Sequence, residues 1–175
     1  MKLAKRLMTI LAVALVLFSF NSCKDDDGDG VPDILDKMTA TIDGQQWSSV
    51  ARVATYTSTE AGDIITITAT SGVTAATGEF LNLIIRGSEL RTYDLTITLV
   101  GSEFECTANY KPDASGTDIY TGQSGTITLT KFDSVNKKIS GTFSFTVAKV
   151  GELTTTKQIT NGTFTDLVYQ VTNAK

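Results

Sequence analysis

The chain predicts an all-β domain, an antiparallel β-sandwich or barrel of about eight to ten strands, and three observations carry that prediction. Beyond Lys37, apolar residues alternate with polar ones at period two, and the polar partner is mostly threonine. That is the pattern of a sheet with one buried and one wet face, because a strand buried on both faces would lack the threonines. Turn residues such as Asp43-Gly44 and Asp133-Ser134-Val135-Asn136-Lys137 punctuate the alternation at short intervals. No stretch of this region carries helical periodicity.

Taken in order, Met38-Thr39-Ala40-Thr41-Ile42 is the first alternating segment. Asp43-Gly44 predicts a tight hairpin, since both central residues of that turn need positive φ. Gln45 to Thr57 reads as a second strand carrying Trp47, Val53 and Tyr56. Ile65, Ile67 and Ala69 then alternate with Thr66, Thr68 and Thr70, and Phe80 to Ile85 is a more continuously apolar strand ended by Arg86-Gly87. Leu95, Ile97 and Leu99 alternate with Asp94, Thr96 and Thr98; Phe104, Cys106 and Ala108 share one face. Lys111 to Gly116, with Pro112, reads as a loop. Ile127 and Leu129 alternate with threonines, and Phe143, Phe145 and Val147 alternate with Thr142, Ser144 and Thr146. The last strand runs from Ile159 through Val171, interrupted by Asn161-Gly162.

Two segments precede this body, which is taken as residues 38–175. Lys2, Lys5 and Arg6 lead an apolar run from Leu7 to Phe20, shorter than the roughly 20 residues a membrane span needs. Residues 1–22 therefore read as an export signal, and residues 23–37 as a short acidic stalk. Without the three cationic residues of the signal, 12 Lys+Arg face 19 Asp+Glu, a formal charge of −7. Nucleic acid is not an expected partner of such a chain, because its phosphates call for a basic face. There is no histidine, which removes the commonest general base, the usual zinc-binding nitrogen and any Ser-His or Cys-His dyad.

Ser22-Cys23 at the end of the apolar run resembles a lipobox, in which the cysteine becomes the lipidated first residue. Lys24-Asp25-Asp26 resembles the signal that displays Bacteroidota lipoproteins on the outer face of the outer membrane. The expected location is thus the outer membrane, through a lipid anchor, at the cell surface. In the stalk, Asp25, Asp27, Asp29, Asp33 and Asp36 fall at positions one, three, five, nine and twelve of a loop with Gly30 at its sixth position. Calcium takes six to eight oxygens, and this spacing lets alternate carboxylates and the Val31 carbonyl point at one ion. The segment resembles a single thrombospondin type 3 calcium repeat, and Ca²⁺ is the expected, weakly held, structural ion. The alternative is a solvated acidic spacer.

Thr39-Ala40-Thr41-Ile42-Asp43-Gly44-Gln45-Gln46-Trp47 resembles the opening of a family of Bacteroidota surface lipoproteins of unknown function. Lys138-Ile139-Ser140-Gly141-Thr142-Phe143-Ser144-Phe145 and Ile159-Thr160-Asn161-Gly162-Thr163-Phe164 resemble its closing strands. These are strand-and-turn patterns, so the resemblance implies a fold and no catalytic residues. Asp133-Ser134-Val135 matches a short pattern glycosylated in exported Bacteroidota proteins, which makes Ser134 a candidate acceptor.

The remaining candidates have ordinary readings beside the functional ones. Glu103 and Glu105 share a face about 7 Å apart, within the range of inverting glycosidases, yet paired carboxylates are common on a wet strand. Cys106 lacks a histidine to activate it and reads as a buried small hydrophobe. Trp47, Tyr56, Tyr93, Tyr110, Tyr120 and Tyr169 include enough rings for a sugar-stacking platform, although a tryptophan beside a turn more often plugs the core. The expected function is non-catalytic, a binding or structural β-domain at the envelope. The alternatives are an accessory or hydrolytic protein of glycan utilisation using Glu103 or Glu105, and a lipocalin-like carrier of a small apolar ligand. An interior too sparsely filled favours the carrier, a cleft joining two carboxylates favours the enzyme, and a filled core with neither favours binding or structure.

Overall fold

Ten strands and no helix make up the described residues of the computed structural model, which are 37–72, 78–96 and 105–173. They are β1 (Lys37–Ile42), β2 (Gln45–Ser48), β3 (Ala51–Thr59), β4 (Gly62–Thr70), β5 (Phe80–Arg86), β6 (Thr92–Thr96), β7 (Cys106–Lys111), β8 (Tyr120–Asp133), β9 (Lys138–Lys149) and β10 (Glu152–Asn173). All belong to one compact unit, residues 33–175.

The pairing closes on itself. β3, β4, β5, β7, β8, β9 and β10 are hydrogen-bonded in that order, and β10 returns to β3. The ring depends on two long strands that serve both walls. β10 pairs with β1 through Ile159–Thr165 and with β3 through Tyr169–Asn173. β8 pairs with β7 through Tyr120 and Thr121 and with β6 through Ser124–Thr128. One wall is therefore β2-β1-β10-β9-β8-β6, and the other runs from the end of β10 through β3, β4, β5 and β7 to the start of β8. The domain is a barrel in its pairing, widened on one wall as a sandwich would be.

Every pairing is antiparallel except β10 with β3. The exception follows from a departure at the second predicted strand. Gln45 to Thr57 is not continuous, because the chain leaves β1 at Ser49 and Val50 and crosses to the other wall. Buried Ser49 fixes the corner: its N–H donates to the Met38 carbonyl (2.8 Å), and its Oγ accepts from the Met38 N–H (3.1 Å). The next N–H, of Val50, donates to Thr70 on β4 (2.8 Å). The crossing keeps the direction of β2, so β3 meets β10 in parallel.

The hairpin predicted at Asp43-Gly44 forms, with φ of 48° and 82°. Asn161-Gly162 does not break the last strand. Asn161 takes φ of 50° and the register slips between Ile159 and Gly162, which is a β-bulge inside β10. A second slip falls between Phe164 and Leu167, where Asp166 takes φ of 49°.

Period two decides what is inside. Met38, Ile65, Ile67, Leu81, Leu83, Ile85, Ile127 and Ile139 are completely buried, while the residues on either side of them keep part of their surface in water. Each such side chain contributes about 1.5–3 kcal/mol of burial. Tyr93, Tyr110 and Phe164 are the largest fully buried groups. Inward glycines make room for core side chains. A methyl at Gly122 would strike Leu95, at Gly141 Phe164, and at Gly162 Phe143.

Candidate functional site

The residues proposed from sequence for lipid attachment (Cys23), export (Lys24, Asp25, Asp26) and calcium (Asp25, Asp27, Asp29, Val31, Asp33, Asp36) lie outside the described residues. So does Glu103. Ser134 is described and sits exposed at the tip of the β8–β9 turn. That turn is held by Asp133, whose Oδ1 accepts from the N–H groups of Val135 (3.1 Å) and Asn136 (2.9 Å).

The rings do not form a stacking platform. Trp47, Tyr93, Tyr110, Tyr120 and Tyr169 are buried, and half-buried Tyr56 packs against Phe132 (5.2 Å between centroids) and Tyr169 (5.8 Å). The hydrophobic effect claims them for the core, as it does Cys106, whose thiol burial pushes up to about 11. A thiol at that value is protonated near neutrality and is no nucleophile.

A cleft of about 370 Å³ opens where the β3–β4 hairpin, the β5–β6 connection and the start of β7 meet. Thr59, Asp63, Ile64, Arg86, Arg91 and Glu105 are among its lining. It does bring two carboxylates together, but each is already engaged. Asp63 Oδ2 accepts from Ser88 Oγ (2.6 Å) and Oδ1 from Ser58 Oγ (2.9 Å), and Ser88 contributes most to holding its carboxyl below the ordinary range. The Asp63 carbonyl also accepts from the Gly87 N–H (2.8 Å), so this one residue ties two loops together.

Glu105 is clasped on both oxygens by Arg91. Nη1 donates to Oε2 (2.9 Å) and Nη2 to Oε1 (3.1 Å), while the Asp94 N–H adds a third bond to Oε2 (3.2 Å). Arg91, then the Asp94 N–H, hold the Glu105 carboxyl below its ordinary value. The Arg91 guanidinium in turn lies 3.9 Å over the Tyr93 ring. A general acid needs a carboxyl that keeps its proton near neutrality, and both environments act in the opposite direction. The cleft is a polar recess braced by its own ion pair.

The outer face of the β2-β1-β10-β9-β8-β6 wall has a different chemistry. Register aligns Thr92, Thr128, Thr142, Thr163, Thr39 and Ser48 in one row across all six strands. Along the next row, Thr126, Thr160 and Thr41 stand near Ser144 and Gln46, with Asp94 at the β6 edge. Two pairs of threonines in the first row bond each other, Thr39 with Thr163 and Thr92 with Thr128, both at 2.9 Å. A shallow groove of about 150 Å³, lined by Ser124, Ser144, Thr146, Gln158 and Thr160 among others, runs beside them. Sequence reasoning saw the threonines but not this row, because their alignment depends on which strands become neighbours.

Residues 36–168 match the family model described as a domain of unknown function (DUF6252). No curated protein and no solved structure matches the chain.

Proposed function

The chain belongs to the DUF6252 family, and from that premise we propose that it is a lipid-anchored protein of the outer membrane, displayed at the cell surface, whose barrel has a non-catalytic binding or structural role. The anchored part rests on Cys23 directly after the apolar run, with Lys24-Asp25-Asp26 in the place of a surface signal. Acyl chains hold through about 0.8 kcal/mol per buried CH₂, so more than one chain on Cys23 makes a stable tether. In the stalk, Asp25, Asp27, Asp29, Val31, Asp33 and Asp36 are proposed to surround one weakly bound Ca²⁺ that stiffens the linker. Ser134, exposed on its turn, is proposed as a glycosylation acceptor.

The observation that carries the binding or structural reading over the carrier is the filled interior. Side chains press on Gly122, Gly141 and Gly162 so closely that none has room for a methyl group, which leaves a lipocalin-like carrier no lumen there. The hydrolytic reading would draw on Glu103, outside the described residues, or Glu105, whose bidentate pair with Arg91 argues against it.

Replacing Lys24, Asp25 and Asp26 together by alanine tests the surface assignment. Intact cells carrying the native chain should lose it to external protease, whereas the variant, still acylated, should be protected. Equal cleavage of the two, or protection of both, contradicts surface display through this signal.

A further inference from the structure

We propose that the outer face of the β2-β1-β10-β9-β8-β6 wall binds a neutral polysaccharide laid across the strands along its hydroxyl rows. The proposal rests on the reading of the barrel as a non-catalytic binding domain and names its ligand class.

The first ground is charge. The domain is acidic, yet its ion pairs stand off these rows: Lys157 with Asp43, Lys149 with Asp118 and Glu152, Lys131 with Asp166, and Arg91 with Glu89 and Glu105. The row from Thr92 to Ser48 contains no charged side chain across six strands, and the next has Asp94 alone, at its edge. A surface kept only for solubility intersperses charges at about a quarter to a third of its positions. This face instead offers hydroxyls, each both donor and acceptor. Sugar hydroxyls have the same dual character. An anionic polymer would need guanidinium or ammonium donors, which these rows do not supply.

The second ground is what the face lacks for other occupants. Protein interfaces concentrate their energy in buried aromatic and arginine anchors, and the rows present none. The third ground is geometry. Hydroxyls recur at the strand spacing of about 4.8 Å, comparable to the length of one sugar ring. The groove lined by Ser144, Thr146, Gln158 and Thr160 gives a chain a shallow track across β8, β9 and β10. Strands twist about 20–25° from one neighbour to the next, so a flexible soluble polymer can follow the face where a flat crystalline surface cannot.

Thr142 lies at the middle of the row, exposed, between Thr128 and Thr163. The test is native gel electrophoresis of the full chain in non-ionic detergent, through gels containing xylan, laminarin, amylose or galactomannan, with polygalacturonate as the charged control. At least one neutral polymer should retard the protein while polygalacturonate does not. Thr142→Lys, and separately the near-isosteric set Thr128→Val, Thr142→Val and Thr163→Val, should weaken that retardation at least fivefold with the melting temperature of Thr142→Lys unchanged. No retardation by any neutral polymer overturns the proposal and leaves surface display to its own protease test. Retardation that survives in both variants also overturns it, while keeping a binding domain whose site lies elsewhere.

Discussion

Gly162 offers the sharpest test of the packing. The three atoms nearest a methyl built there all belong to the Phe143 ring, which is itself stacked on Phe164 at 6.4 Å and tilted against Phe145 at 6.4 Å. Overpacking of this kind costs about 1–3 kcal/mol, and Gly→Ala returns about 0.4–1 kcal/mol by restricting the unfolded chain. Gly162→Ala should therefore lose about 1–2 kcal/mol net. Because the obstacle is a side chain, Phe143→Leu should relieve it, so the double variant should be more stable than the sum of single losses by about 1 kcal/mol. Gly141 is the control. A methyl there would strike the Thr128 carbonyl as well as Phe164, and backbone cannot be trimmed, so Phe164→Leu should not rescue Gly141→Ala. Urea titration of chains also carrying Cys23→Ala, read by the fluorescence of Trp47, the single tryptophan, supplies the free energies. Equal rescue at both positions, or a Gly162→Ala chain as stable as its parent, would refute the reasoning.

Three further outcomes follow from individual sites. Asp43 accepts from the Gln158 N–H (2.8 Å) and the Lys157 ammonium (2.9 Å), and these hold its carboxyl below the ordinary aspartate range. A depressed folded value means stability present above the unfolded chain's ordinary aspartate value and lost as pH falls through the folded one. The advantage of the native chain over Asp43→Asn should thus shrink in acid, by a modest amount because the side chain is 43 % exposed; an advantage constant down to pH 2 contradicts it. Cys106 should resist a thiol reagent at pH 8 until urea unfolds the chain, and immediate reaction in the native state contradicts its burial. Calorimetry should detect calcium in the about 10⁻⁴–10⁻³ M range, abolished by Asp29→Ala, and no heat up to about 10 mM would leave the aspartates a charged spacer.

Much of the fold was legible because threonine and aliphatic residues alternate over most strands and because Asp43-Gly44 admits few other conformations. What was not legible depends on contacts distant in sequence. Ser49 turns the chain to the other wall only because Met38 is there to bond it. Asn161-Gly162 has the composition of a turn, yet β1 and β9 pair on either side and stretch it into a bulge. The cleft assembles Asp63, Arg91 and Glu105 from three separate segments, and no local pattern announces that Arg91 would clasp Glu105. Glu105 looked available in sequence because an alternating pattern gives its face but not its partner.

Mass spectrometry of the protein extracted from outer membranes tests the central claim most directly. The account predicts a mature chain that begins at Cys23 and carries acyl groups on that residue, and a Cys23→Ala chain without them, released from the membrane. A mature chain beginning elsewhere, or an unmodified Cys23 on protein that still fractionates with the membrane, would contradict it.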